Sequence, residues 1–218
     1  MNRPAVICNG LQKSGLHLIQ NLVMVMGWER APDKFDKPVT KTQWKTEPYG
    51  PAFCDLQPGT VAYTHLLPLT DFGPHTVFHI RRNPRNVLVS AARWQYRSLP
   101  TFKGECSSDL IDAVLTPSFI DRTWQFLDPP RGGQHSLFRF EDLVGENPDC
   151  DIRHIGQVLC PAVKLDIPVV ARLMIGDTRT YNEKPSRWEE VWDTRVDSKW
   201  GDLGGIELEQ AFGYRNNL

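Results

Sequence analysis

The spacing of hydrophobic positions changes several times along the chain, and each change predicts an element. Residues 4–9 (PAVICN) form a short apolar run closed by Gly10, which suits a strand buried on both faces. From Leu18 onward, Leu18, Ile19, Leu22, Val23 and Met26 recur at helical intervals, and Gly27 stands where a helix C-terminal glycine belongs. Strand, turn and helix together open a βαβ unit. Residues 28–58 then carry five prolines and little periodicity, which predicts an irregular or partly helical insertion. Two further β-rich runs follow at 59–64 (GTVAYT) and 76–80 (TVFHI). After the second, Asn83 and Pro84 read as an N-cap and a first-turn proline for a helix carrying Val87, Leu88, Ala91, Ala92 and Trp94. Thr116-Pro117 repeats that signal for a helix to about Leu127, residues 136–140 (SLFRF) predict another strand, and Asp166 with Pro168 starts a helix to about Met174. Alternating strands and helices favour a three-layer α/β fold, a mainly parallel sheet flanked by helices, with its ligand site at the carboxyl ends of the strands.

Composition narrows the class. The 218 residues (24.9 kDa, 40% hydrophobic) suffice for a sizeable core and are expected to form a single domain, 1–218, so a disordered tail or a disulfide mini-scaffold is excluded. Lys and Arg total 25 against 26 Asp and Glu, a net charge of −1. No global field draws the chain to nucleic acid or anionic lipid, so any anion site must be local. The apolar stretch from Leu18 to Met26 is broken by Gln20 and Asn21 and is too short to span a membrane. The first residues lack the apolar run of a secretory leader, and a cytoplasmic location is the expectation. The five cysteines (Cys8, Cys54, Cys106, Cys150, Cys160) include no Cys-x-x-Cys pair and have no histidine at metal-ligand spacing. They read as reduced thiols, and no metal is expected.

Four constellations carry candidate chemistry. Residues 10–17 (GLQKSGLH) lie between a strand and a helix, where backbone N–H groups, the helix dipole and Lys13 make a phosphate cradle. The order differs from a Walker A loop, because here a glycine follows the lysine and serine. An ordinary Gly/Ser turn with a surface lysine is the plainer alternative. The second constellation is residues 81–90 (RRNPRNVLVS). Five arginines (81, 82, 85, 93, 97) and no acid occupy 81–97, and Arg82 sits just before a capped helix where its planar fork can meet an anion at the sheet edge. A solvated basic helix is the alternative. Third, His65 ends a strand within Tyr63-Thr64-His65-Leu66, the place for a general base acting on a hydroxyl. By context alone His17, His75, His79, His135 and His154 are structural. Fourth, Glu141 and Asp142 follow a strand in Phe138–Val144 and are expected to cap a helix or pair with an arginine.

In order, Lys13-Ser14-Gly15, Thr64-His65-Leu66, the run from Arg82 to Ser90, and Phe140-Glu141-Asp142-Leu143 make the chain resemble the sulfotransferases that use 3′-phosphoadenosine-5′-phosphosulfate (PAPS). The resemblance spans residues 4–148 and implies a P-loop NTPase-like arrangement of the sheet. It implies that Lys13 contacts the 5′-phosphosulfate and the bridging oxygen, with Gly10, Ser14, Gly15, Leu16 and His17 as loop neighbours at the cofactor. Arg82 and Ser90 match the pair that holds the 3′-phosphate, and His65 matches the base. Leu16 and His17 stand where the family commonly has two threonines, and Tyr63 stands where well-known members have a lysine. The late basic loop is only loosely matched by residues 180–188, with Lys184 and Arg187 as substitutes.

The expected reaction is transfer of the sulfuryl group of PAPS to a hydroxyl, with an amine as second choice, leaving adenosine 3′,5′-bisphosphate (PAP). A P-loop kinase acting on a small molecule and a non-catalytic nucleotide-binding module are the alternatives. Acceptor class and oligomeric state are not readable, although Trp44, Tyr49 and Phe53 in the insertion are candidate walls for an acceptor pocket.

Overall fold

A computed structural model describes residues 3–31, 56–65, 72–96, 106–128, 134–145, 148–162, 164–176 and 187–214. Its centre is a five-stranded, all-parallel sheet of β1 (Val6–Gly10), β2 (Glu29–Arg30), β3 (Thr60–Thr64), β4 (Thr76–Arg81) and β5 (Gln134–Arg139), in the order β2-β3-β1-β4-β5. Every residue of β1 is buried, as the continuous apolar run predicts for a central parallel strand. Glu29 and Arg30, which the proline-rich pattern assigns to the irregular segment, instead pair with Thr60 and Val61 as the edge strand. Two residues are too few for a periodic signal. Likewise β5 starts at Gln134, and Phe140 opens the next helix rather than ending the strand.

Side chains alternate across the sheet. Val6, Cys8, Val61, Phe78, Ile80 and Phe138 pack on one face against α1 (Leu16–Val25) and against Ile152, Ile155, Ile167, Val170 and Met174. Those last five come from helices not read in the sequence or read only in part, at Asp149–Leu159 and Ile167–Gly176. Within this layer Ile19 and Leu22 are fully buried, each contributing about 1.5–3 kcal/mol relative to exposure. On the other face, Leu11 packs with Val87 of α2 (Pro84–Tyr96) and with Phe126. Behind them, α2 joins α3 (Ser108–Val114), α4 (Pro117–Trp124), α8 (Thr194–Asp202) and α9 (Gly205–Ala211), counting Phe140–Val144, Asp149–Leu159 and Ile167–Gly176 as α5, α6 and α7. The caps follow the sequence. Asn83 Oδ1 accepts from the Arg85 and Asn86 amides, and Thr116 Oγ1 accepts from that of Phe119. Helices on both faces make three layers.

The topology positions the site. Because β1 lies between β3 and β4, the chain leaves β1 toward one side of the sheet and later returns to the other. Such a switch point opens a crevice at the carboxyl ends of the strands. Gly10, His65 and Arg82 all stand at that edge.

Candidate active site

The first turn is built for close approach. Lys13 adopts a left-handed backbone (φ 71°), as does Gly15 (φ 106°) at the N-cap of α1. A Cβ at Gly10 would come within 2.6 Å of the Ile80 carbonyl, and one at Gly15 would collide with the Phe140 ring. Only glycine fits either position. The Ser14 hydroxyl donates to the Leu11 carbonyl at 2.7 Å, and its amide donates to the same oxygen at 3.1 Å, so buried Ser14 fastens the turn from within. No side chain caps α1 and no acid stands in its first turn, which leaves a positive helix end facing the crevice. Leu16 is buried in the core, so only its backbone remains to serve a ligand.

Arg82 joins this turn from β4. Its Nη1 donates to the Lys13 carbonyl at 3.1 Å, and its guanidinium lies 4.2 Å from the Phe140 ring centroid. The residue is 8% exposed, and among the described residues its buried Nε has no hydrogen-bond partner. Burial lowers its pKa, opposed by the nearby charge of Glu141. A buried cation with an orphaned donor can receive an anion. Lys13 and Arg82 therefore lie together at one edge of the sheet. Half-buried Ser90 lies on α2 one turn before Trp94, and the Lys13 ammonium sits 3.5 Å from the Trp94 ring centroid. Lys13 thus touches Arg82 with its backbone and Trp94 with its side chain.

His65 follows β3 directly. Its Nδ1 donates to the Gly10 carbonyl at 3.0 Å, because a carbonyl only accepts, and that fixes Nε2 as the nitrogen with the lone pair. Burial lowers its pKa to about 4; the Gly10 hydrogen bond opposes this, while the charges of Arg122, His17 and Lys13 reinforce it. At neutral pH the imidazole is uncharged and can take a proton. Tyr63, at the position the resemblance gives to a lysine, lies edge-on to His17 (4.7 Å between ring centroids) and to His65 (5.9 Å). An aromatic wall stands beside His65.

Residues from the end of the chain brace the arginine turn. Glu141 accepts from the Asn83 amide at 3.0 Å and from the Tyr214 hydroxyl at 2.6 Å, which is the capping role its position predicts. The Trp188 amide donates to Asn86 Oδ1 at 3.1 Å, which sets exposed Arg187 beside the start of α2. Lys184, Trp44, Tyr49 and Phe53 lie outside the described residues. The described cysteines, Cys8, Cys106, Cys150 and Cys160, are free thiols. Sequence reasoning missed three neighbours. Trp94 showed only helical spacing, Arg122 carried no motif, and Tyr214 lies far from Glu141 in sequence.

No family model matches this sequence, and no curated protein matches it. Solved structures do. A mouse sulfotransferase complexed with PAP superposes with a TM-score of 0.57 at 10% identity, over 95% of this chain and 84% of that one. A retinol dehydratase in complex with androsterone and the inactive cofactor PAP gives 0.52 at 14% identity, over 94% and 80%. A retinol dehydratase in a complex with retinol and PAP gives 0.53 at 15% identity, over 100% and 84%. The chain has the sulfotransferase fold. Among the described residues no helix is long and apolar enough to cross a membrane.

Proposed function

We propose that this protein is a PAPS-dependent sulfotransferase that moves a sulfuryl group to a hydroxyl acceptor. The observation that carries the reading is the meeting, at one sheet edge, of a neutral His65 whose Nε2 holds the lone pair, the Lys13 turn, and the buried, incompletely satisfied Arg82. An uncapped α1, free of acids in its first turn, and the orphaned Arg82 Nε suit a doubly phosphorylated nucleotide. PAPS, when bound, supplies an electrophilic sulfur on a phosphate leaving group.

Each residue then has a task. His65 Nε2 accepts the acceptor's proton as the acceptor oxygen forms its bond to sulfur. As the bond from sulfur to the bridging oxygen breaks, its electron pair stays on the 5′-phosphate, where Lys13 and the loop N–H groups stabilise the added charge. Arg82 and Ser90 hold the 3′-phosphate, and Gly10, Ser14, Gly15, Leu16 and His17 shape the turn around the 5′ end. Arg187, with Lys184, supplies further positive charge from the late loop. The proton then leaves His65 for solvent, and PAP departs.

Labelled-sulfate transfer from PAPS across an acceptor panel tests the activity, and His65→Ala is expected to abolish turnover while preserving PAP binding. Equal turnover in the variant refutes the base. Stabilisation by PAP but not by ATP–Mg²⁺ in thermal shift separates this reading from a kinase.

A further inference from the structure

We propose that Arg81 and Arg139 form a second anion site, separate from the Lys13–Arg82 turn, which takes a tetrahedral oxyanion: a sulfate or phosphate group. The two residues are the last register pair of the β4–β5 ladder, so they stand side by side at the carboxyl edge of the sheet. Ile80 and Phe138, one residue earlier on each strand, pack toward α1, and strand alternation sends both arginines to the opposite face. Arg82 turns instead to the Lys13 carbonyl and the Phe140 ring. Like charges directly opposite one another on a sheet face destabilise the pairing.

The fold holds these cations without neutralising them. Arg81 lies 5.4 Å from the Phe212 ring centroid and Arg139 lies 5.2 Å from that of Tyr214. Rings attract a guanidinium but supply no oxygen acceptor. Among the described residues neither side chain forms an ion pair or a hydrogen bond, and the buried Arg81 Nε has no acceptor. Capping of α9 does not account for the pair, because neither guanidinium bonds a carbonyl at the end of that helix. Burial lowers the Arg81 pKa; the charges of Asp128 and Tyr214 oppose this, and that of Arg139 adds to it. Asp128 acts from beyond ion-pair contact. Arg85 shows the alternative, a buried arginine with a structural task and two carboxylates on it. An oxyanion seated between Arg81 and Arg139 would relieve their repulsion and give the Arg81 Nε its acceptor, and a guanidinium fork matches such oxygens two at a time. Arg139 is exposed and Arg81 half-buried, so the ligand can enter from solvent.

Nuclear magnetic resonance tests the site directly. Sodium sulfate is titrated into the ¹⁵N-labelled protein at constant ionic strength, with the arginine Nε–H signals assigned by Arg81→Lys and Arg139→Lys. Both signals are expected to shift along one saturable curve. Arg139→Gln, a change at an exposed position, is expected to weaken the Arg81 response about tenfold or more, whereas Lys13→Met leaves both curves unchanged. A parallel titration with phenyl sulfate separates a free oxyanion from an esterified one, according to which ligand saturates the signals at lower concentration. Absence of a saturable shift with both ligands, an undiminished Arg81 response in Arg139→Gln, or loss of the response in Lys13→Met overturns the second site. Failure of the protein to bind PAP overturns the sulfotransferase reading alone, because the pairing of Arg81 with Arg139 does not depend on it.

Discussion

Arg82, just before α2, and Arg85, in its first turn, are both buried and have opposite fates. Arg85 donates from Nε to Glu209 at 3.0 Å and from Nη1 to Asp197 at 2.6 Å. Its guanidinium lies 4.3, 4.8 and 5.6 Å from the ring centroids of Trp188, Trp192 and Trp200, and Trp200 in turn donates to Glu209. That charge is spent inside the fold. Arg82 has a carbonyl, an aromatic face and an orphaned Nε, with no carboxylate in ion-pair contact among the described residues. The pair shows how one basic motif divides, with one cation fastening α8 and α9 to α2 and its neighbour left without a carboxylate among the described residues.

The largest expected effect comes from the structural partner. Arg85→Met strands the buried Glu209 carboxylate and is expected to cost about 3–5 kcal/mol in chemical denaturation, with α8 and α9 losing amide-exchange protection first. Next is the acid response of β4. His79 is fully buried, with Nε2 donating to the Phe126 carbonyl, and burial lowers its pKa to about 4 against an ordinary 6.5. Between those values the unfolded chain binds more protons than the folded one. Stability should therefore fall as pH drops from about 6.5 toward 4, with His79 contributing on the order of 3 kcal/mol beside the similarly depressed His65, and His79→Gln should roughly halve that slope. Arg82→Met should weaken PAP binding roughly 30- to 150-fold while leaving the melting temperature unchanged or raised, because a desolvated, partly satisfied charge is removed. A large stability loss there would erase the contrast with Arg85. The smallest effect belongs to the brace. Tyr214→Phe should lower stability by about 1 kcal/mol and change PAP affinity less than twofold.

Local chemistry made much of this legible. The apolar run ending at Gly10, the Asn83-Pro84 start, the Thr116-Pro117 start and the histidine after β3 are all set by near neighbours in sequence, and the structure has each where the pattern puts it. What escaped depends on distance. Nothing near Arg85 announces Asp197 or Glu209, which lie 112 and 124 residues away. The stretch from 81 to 97 therefore reads as a uniformly basic helix, although one of its arginines is neutralised by a remote segment. The two-residue edge strand at Glu29–Arg30 was invisible for another reason: its conformation comes from pairing with β3 rather than from its own residues.

The brace from Tyr214 through Glu141 to the Asn83 amide bears on biosynthesis. A ribosome that has delivered the sheet but not residues 197–214 leaves the β4–α2 corner without its outer struts and Arg85 without either carboxylate. The crevice can form early, yet the corner that aims Arg82 locks only when the last helices emerge. Premature termination just short of them would leave that corner unbraced, so this architecture couples translation of α8 and α9 to maturation of the candidate site around Gly10 and Arg82.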